Sequence, residues 1–450
     1  DYGPARRLIE ALADLLATAH QRGLQHADLH PENLLVIGDP CAEPRPRIAF
    51  VDLHGVQTHR PVSDAAIIRN LAQLNQWFRR HAGITDRIRF LCCYLNMRQA
   101  MSDGPLAHPL GLSRKALVKA LEQEAHDHAQ RLYAKRDRRA MRTNRYFATI
   151  RVPGGWRGHV FLSAKRPVAG SIASTLTFRR QQWQTWLTQP LDWLMPDEAW
   201  QMIKDSHSGT VCRRTLPTTP TPLPVVCKRP RSRNILRRIV MMLRRSRNLR
   251  AWQRGFALIH RNMPTAWPLA VLERRRFGLL LDSIAINEAL PDAHDLDAVI
   301  SLELTRLAPT DQRRAKDLLI DVLCRLVKRM HERHFFHRDF KASNIMIQWA
   351  PGFAVPPALS LVDLDGLRLK SRTDNRHVHR ALARLNVSLD HCRAVTRTDR
   401  LRFLRRFLSG WGRESVGWKA LWYELDARSG RKRRQYRQHQ AWKLEHYGRT

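Results

Sequence analysis

Apolar residues recur at three- and four-residue steps twice in this chain, at Leu8, Leu12, Leu15 and Ala19 and again at Leu319, Leu323, Leu326 and Met330. Each set predicts an amphipathic helix, and Gly23 is placed to end the first. A polar loop follows each helix, and then two short apolar runs. These are 34–37 and 48–51 in the first case, 345–347 and 359–362 in the second. Short apolar runs bounded by polar residues read as paired strands. The second run of each pair leads directly into an aspartate, Asp52 or Asp363.

The two regions are copies of each other. Residues 19–36 read AHQRGLQHADLHPENLLV and residues 330–347 read MHERHFFHRDFKASNIMI. At a constant offset of 311, His20 matches His331, Arg22 matches Arg333, His26 matches His337, Asp28 matches Asp339 and Asn33 matches Asn344. The register continues without a gap through Asp52 and Asp363, Gly55 and Gly366, and Asn75 and Asn386. It then slips slightly, with RIRFLCCYL at 87–95 resembling RLRFLRRFL at 400–408. The chain is expected to hold two copies of one fold, the first entered partway through.

The spacing H-x-D-x-x-x-x-N, with a further Asp nineteen residues on, suits metal-assisted phosphoryl transfer. Such a reaction needs a carboxylate to orient or deprotonate an attacking hydroxyl. It also needs hard oxygen ligands for a Mg²⁺ that bridges nucleotide phosphates. In the second copy Asp339 is the expected base, and Asn344 and Asp363 are the expected metal ligands. His337 reads as a buried brace for the loop, and Lys341 as a cation able to reach the transferred group. The first-copy equivalents are Asp28, Asn33 and Asp52, with His30 in the place of Lys341.

FFHRDFKASNIMI, LSLVDLDGLR and, upstream, NLRAWQRGFALIHRNMPTAWPLAVLERR together resemble the bacterial lipopolysaccharide kinase family of the protein-kinase-like superfamily. ALARLNVS at 381–388 is similar to a later helix of that family. The resemblance implies an α+β, protein-kinase-like fold, with a small β-rich lobe and a large helical lobe. It implies ATP and Mg²⁺ as cofactors and a Kdo or heptose hydroxyl of the lipopolysaccharide inner core as acceptor. It also implies a place on the cytoplasmic face of the inner membrane. The expected domains are a first large lobe at 1–145, a small lobe at 146–284, and a second large lobe at 285–450 ending in a basic tail. The first copy, a large lobe without a preceding lysine strand, is expected to be inactive.

The small lobe should hold the nucleotide. Residues 206–213, SHSGTVCR, could be a phosphate-covering turn, with Gly209 where three glycines are usual. After the Thr/Pro tract at 216–224, which reads as a hairpin loop, Val225, Val226, Cys227 and Lys228 resemble a V-A-I-K strand. Lys228 would then pair the donor phosphates. Protein kinases pair this lysine with a helix Glu, yet residues 229–272 contain no acid. Either Glu273 substitutes, or nucleotide and backbone alone hold Lys228.

Composition narrows the partners. Over 450 residues, 78 Lys+Arg face 40 Asp+Glu, a net charge of +38. The excess is concentrated at 131–145, 229–272 and 431–450. It points to an anionic partner. Given the resemblance, that partner is a lipopolysaccharide core or lipid A precursor and an anionic membrane surface; no motif supports nucleic acid. Seven cysteines without a C-x-x-C pair exclude a zinc ribbon and a disulfide framework. The Trp residues at 183, 186, 193 and 200 read as packing. Two other readings remain open: a protein or small-molecule kinase of the same fold, and a tandem pseudokinase scaffold that binds membrane through its basic surface.

Overall fold

The computed structural model describes residues 3–39, 41–42, 46–58, 62–79, 81–101, 112–197, 200–206, 208–231, 242–370, 374–409 and 417–447. His207 of the expected phosphate turn, residues 232–241 of the basic run and the last three residues lie outside these. The chain divides into two compact units, Asp1–Lys135 and Arg136–Thr450. This places the division ahead of the expected boundary at 145. Asp137 belongs with the second unit because it accepts from Arg261 at 2.9 Å and pairs with His260 at 2.8 Å.

In the first unit, α1 (Gly3–Gln21) leads to β1 (Leu24–His26) and a 3-10 turn at Pro31–Asn33. The hairpin β2 (Leu34–Ile37) and β3 (Arg47–Phe50) follows, then β4 (Val56–Thr58), which pairs back on β1. Helices α2 (Asp64–Phe78), α3 (Ile84–Ala100) and α4 (Arg114–Arg139), the last as far as Lys135, complete it. The core is the apolar face of α1, with Leu12 and Leu16 packed with Ile67, Leu71, Leu74 and Tyr94.

His20 ends that face in a polar pocket, its Nδ1 2.8 Å from the Tyr94 hydroxyl and its Nε2 3.1 Å from Asn70 Oδ1. Burial pushes its pKa down to about 4; the Asn70 bond opposes this and Arg98 adds to it. The unfolded chain therefore takes up this proton at higher pH than the folded one. The stability contributed by neutral His20 is complete above about pH 6.5 and is lost as pH falls toward 4, by up to about 3 kcal/mol. Urea unfolding at pH 7.5 and pH 5 should show this loss, and His20→Gln should flatten the difference.

The second unit opens with a seven-stranded antiparallel sheet. Its strands are β5 (Phe147–Val152), β6 (Trp156–Phe161), β7 (Gln201–Ser206), β8 (Gly209–Leu216), β9 (Leu223–Pro230), β10 (Pro268–Arg276) and β11 (Leu279–Glu288), in spatial order β5-β6-β10-β11-β9-β8-β7. The short helix α5 (Arg180–Trp186) contributes Trp183 to the core under this sheet. The Thr/Pro tract forms the loop between β8 and β9. Helix α6 (Arg247–His260) packs on the sheet through Trp252 and Phe256, whose rings meet Phe147 edge-on. Its opposite face presents Arg247, Arg250 and Arg254 in one stripe, as steps of three and four require.

The repeat then reappears in three dimensions. After the short strand β12 (His294–Asp295), α7 (Pro309–Glu332) leads to β13 (Phe335–His337), β14 (Ile345–Gln348), β15 (Ala358–Leu361), β16 (Leu367–Leu369) and α8 (Asn375–Ser388). Strand registers are conserved residue for residue. Leu34 faces Phe50 as Ile345 faces Leu361, and Leu24 faces Thr58 as Phe335 faces Leu369. Helices α9 (Arg397–Ser409) and α10 (Trp418–Tyr447) close the unit. The stretch expected as a basic tail is the end of α10, a 30-residue helix anchored by buried Leu421 and Ser429. The repeated Asn75 and Asn386 each bond the closing helix of their own unit, to Glu122 at 3.0 Å and Ser429 at 3.0 Å. An apolar cavity recurs beside each, lined by Leu12, Leu71 and Leu74 in one unit and by Leu323, Leu382 and Leu385 in the other.

Candidate active site

The loop after β13 is built by its own backbone. The amide of Asp339 donates to His337 Nδ1 at 3.2 Å, and Asn344 Nδ2 donates to the Asp339 carbonyl at 2.8 Å. Val362 N–H then donates to the Asn344 carbonyl at 3.0 Å, which ties the loop to the strand bearing Asp363. The first copy repeats all three bonds, at 3.2, 2.9 and 3.0 Å, through Asp28, Asn33 and Val51. His337 is fully buried; burial lowers its pKa while Asp363 and Asp339 oppose the shift. A neutral imidazole accepting from a backbone amide is a brace. Gly366 packs on that ring, where an added Cβ would lie 3.2 Å from His337 Cε1.

Asp363 sits in the left-handed region, at φ 54° and ψ 56°, and Asp52 matches it at φ 61° and ψ 54°. This conformation is uncommon outside glycine and is best tolerated by Asn and Asp. It turns the side chain out of the strand direction. Among the described residues no hydrogen bond or ion pair engages the Asp363 carboxylate. Because Nδ2 of Asn344 is used on the loop, its Oδ1 remains. A carboxylate and an amide oxygen are the hard donors that Mg²⁺ selects, so the donor set fits that ion.

Asp339 lies among cations. Arg384 Nη1 donates to its Oδ1 at 3.0 Å, and Lys341 Nζ is 3.5 Å from its Oδ2. Lys432 of α10 also feels the field of Asp339 and of Arg384, which act on its pKa in opposite directions after burial has lowered it. Arg384 and Lys432 were not legible as site residues, since they come from α8 and α10, 45 and 93 positions further along the chain. In the first copy Gln73 stands where the second has Arg384, and it donates to the Ala27 carbonyl at 3.0 Å. Asp28 there pairs with His30 at 3.5 Å, with 77% of its side chain exposed against 38% for Asp339.

Lys228 lies on β9 opposite Val211 and Ala285. Burial lowers its pKa; Asp363 raises it, and Lys204 lowers it further. Asp363 is therefore the acid whose charge offsets Lys228. Glu273 is not: its Oε1 accepts from Ser246 N–H at 2.9 Å at the start of α6, and its Oε2 accepts from Arg275 at 2.9 Å. The carbonyl of Lys228 accepts from Asn248 of α6 at 3.2 Å. Gly209 begins β8 at φ 150°, where a Cβ would lie 2.6 Å from the Arg229 carbonyl oxygen. Close approach of β9 thus explains that glycine.

Helix α6 is held by a different acid. Asp365, two residues after Asp363, meets Arg250 at 2.9 Å, Arg247 at 3.7 Å and Arg254 at 4.0 Å. In the first copy His54 occupies the equivalent position and pairs with Asp52 at 2.7 Å.

No curated protein matches the chain. Among solved structures, WaaP in complex with acyl carrier protein aligns at 20% identity over 53% of this chain and 91% of that one, with a TM-score of 0.38. At that distance the assignment rests on the family comparison. The family model described as lipopolysaccharide kinase (Kdo/WaaP) matches residues 4–94 and 231–407, more than half of the chain. Asp28, Asn33 and Asp52 fall in the first segment, and Asp339, Asn344 and Asp363 in the second, as a tandem arrangement requires. A match of this extent, falling on both loops, makes the protein a phosphotransferase of protein-kinase-like fold that belongs to the lipopolysaccharide kinase (Kdo/WaaP) family.

Proposed function

We propose that the second unit transfers the γ-phosphoryl group of ATP to a sugar hydroxyl, Kdo or heptose, of the lipopolysaccharide inner core. The observation that supports this best is the bonded path from Asp339 through Asn344 to the strand bearing left-handed Asp363, with Lys228 in the field of Asp363. In this reading Asp339 accepts the hydroxyl proton as the sugar oxygen bonds to phosphorus and the bond to the ADP oxygen breaks. When bound, Mg²⁺ neutralises charge on the donor phosphates. Asn344 and Asp363 hold that ion, Lys228 and the turn at Gly209 hold the phosphates, and Lys341 offsets charge on the group in transit. Arg384 orients Asp339, so Arg384→Gln should lower the transfer rate by about tenfold. Purified chain, ATP, Mg²⁺ and deacylated core oligosaccharide test the reading directly, and transfer that survives in full after Asp339→Ala contradicts it.

The missing helix acid and the single turn glycine favour one other reading, a pseudokinase scaffold. Mg²⁺-dependent binding of labelled ATP separates the two, because the scaffold predicts none.

The acceptor is lipid-linked, and the surface for that setting is α10. Arg431, Arg434 and Arg437 are exposed on it, as is Tyr423 nearer its start. No helix among the described residues is long and apolar enough to cross a membrane. Each basic residue near an anionic leaflet adds about 1 kcal/mol of attraction. We expect the protein to sediment with vesicles containing anionic lipid and not with neutral ones, and Arg431, Arg434 and Arg437 replaced together by Gln should weaken that binding about a hundredfold or more. Equal sedimentation with both vesicle types would remove the membrane from this account.

A further inference from the structure

The arginine stripe of α6 faces a cleft of about 1370 Å³. None of Lys228, Asp339, Asn344 or Asp363 lines it. Among the described residues nine cationic side chains do, against two carboxylates, Asp137 and Asp365. Both carboxylates are already engaged, Asp137 by His260 and Arg261 and Asp365 by three arginines of α6. From the other wall come Arg338, directly before Asp339, and Arg368 of β16; both are exposed, and neither meets a carboxylate among the described residues. Burial lowers the pKa of Arg254 and Asp365 raises it, while Arg250, Arg368 and Arg338 each push it down. Arg250 and Arg254 on one side and Arg338 and Arg368 on the other thus line one space. Guanidinium groups gathered in a concave site match phosphate oxygens in geometry as well as charge.

We propose that this cleft is a second anion site, separate from the donor-nucleotide site, which takes a phosphomonoester or polyphosphate group between Arg250 and Arg254 on one wall and Arg338 and Arg368 on the other. The phosphate could belong to the acceptor or be a free anion; both present the same chemistry. This goes beyond the transfer reaction proposed above and does not depend on it.

The test uses the full chain saturated with AMP-PNP and Mg²⁺, titrated calorimetrically with inorganic tripolyphosphate. One equivalent should bind with nucleotide still in place. Arg338→Gln and Arg368→Gln should each weaken that binding by about tenfold, with AMP-PNP affinity unchanged. The corresponding Lys variants should retain part of it. Melting curves establish that each variant is folded, and the two single variants are read independently. Displacement of AMP-PNP one for one, or wild-type tripolyphosphate binding by both Gln variants, would overturn the site. Core oligosaccharide before and after phosphatase treatment identifies the source. A loss of affinity on treatment that Arg368→Gln abolishes assigns the phosphate to the acceptor; equal affinity, with tripolyphosphate binding intact, assigns a free anion. A chain that binds tripolyphosphate here yet phosphorylates no sugar contradicts the proposed reaction and leaves the cleft standing.

Discussion

Asp363→Asn should lower phosphoryl transfer by about 10³-fold and abolish Mg²⁺-dependent binding of ATP, while the chain stays folded. Asn is the informative substitution because it tolerates the left-handed backbone that Asp363 adopts at φ 54°. Ala there would add strain of about 1–2 kcal/mol and confuse stability with chemistry. The expected loss is large because two functions meet in one carboxylate: a hard oxygen for the metal, and the charge that offsets Lys228. Equilibrium binding of labelled ATP with and without Mg²⁺, beside a melting curve, checks this. The matching change Asp52→Asn in the first unit should leave transfer within about twofold of the wild type. Asp52 has His54 as its partner, and its unit carries Gln73 in place of Arg384.

Asp339→Asn should lower kcat by about 10²- to 10⁴-fold, the range for removing a positioned general base, and leave ATP affinity nearly unchanged. The amide keeps the shape of the carboxylate and its contact with Arg384, but it cannot take the hydroxyl proton. Single-turnover kinetics with ATP prebound separate this outcome from a binding defect. If kcat is unchanged while the acceptor KM rises, Asp339 positions the sugar without taking its proton. The proposed division of labour would then be wrong.

The repeat was the most legible feature of the sequence, and its physical reason is local. A loop closed by His, Asp and Asn needs those residues at fixed spacing, so identities at one offset report one backbone. Strand registers and the left-handed aspartates follow it in both copies. What arises between distant segments was not legible. Nothing near Asp339 in sequence announces Arg384 or Lys432. The sequence offers Glu273 as the partner of Lys228, whereas the charge that offsets that lysine comes from Asp363, more than a hundred residues further along, and Glu273 is taken up by Ser246 and Arg275. The order of the seven-stranded sheet was hidden for a related reason. β5 and β6 join its edge beside β10, across more than a hundred intervening residues. The basic stretches at 131–139 and 431–447 read as faces or tails because charge masked their helical period, yet they end α4 and α10.

The central claim, that the second copy performs phosphoryl transfer to a core sugar, is tested most directly by the mass of deacylated core oligosaccharide after incubation with the chain, ATP and Mg²⁺. The account predicts addition of one phosphate by the wild type and by Asp28→Asn, and none by Asp339→Asn. An oligosaccharide that gains no phosphate from the wild type, or gains it from Asp339→Asn and not from Asp28→Asn, would contradict it.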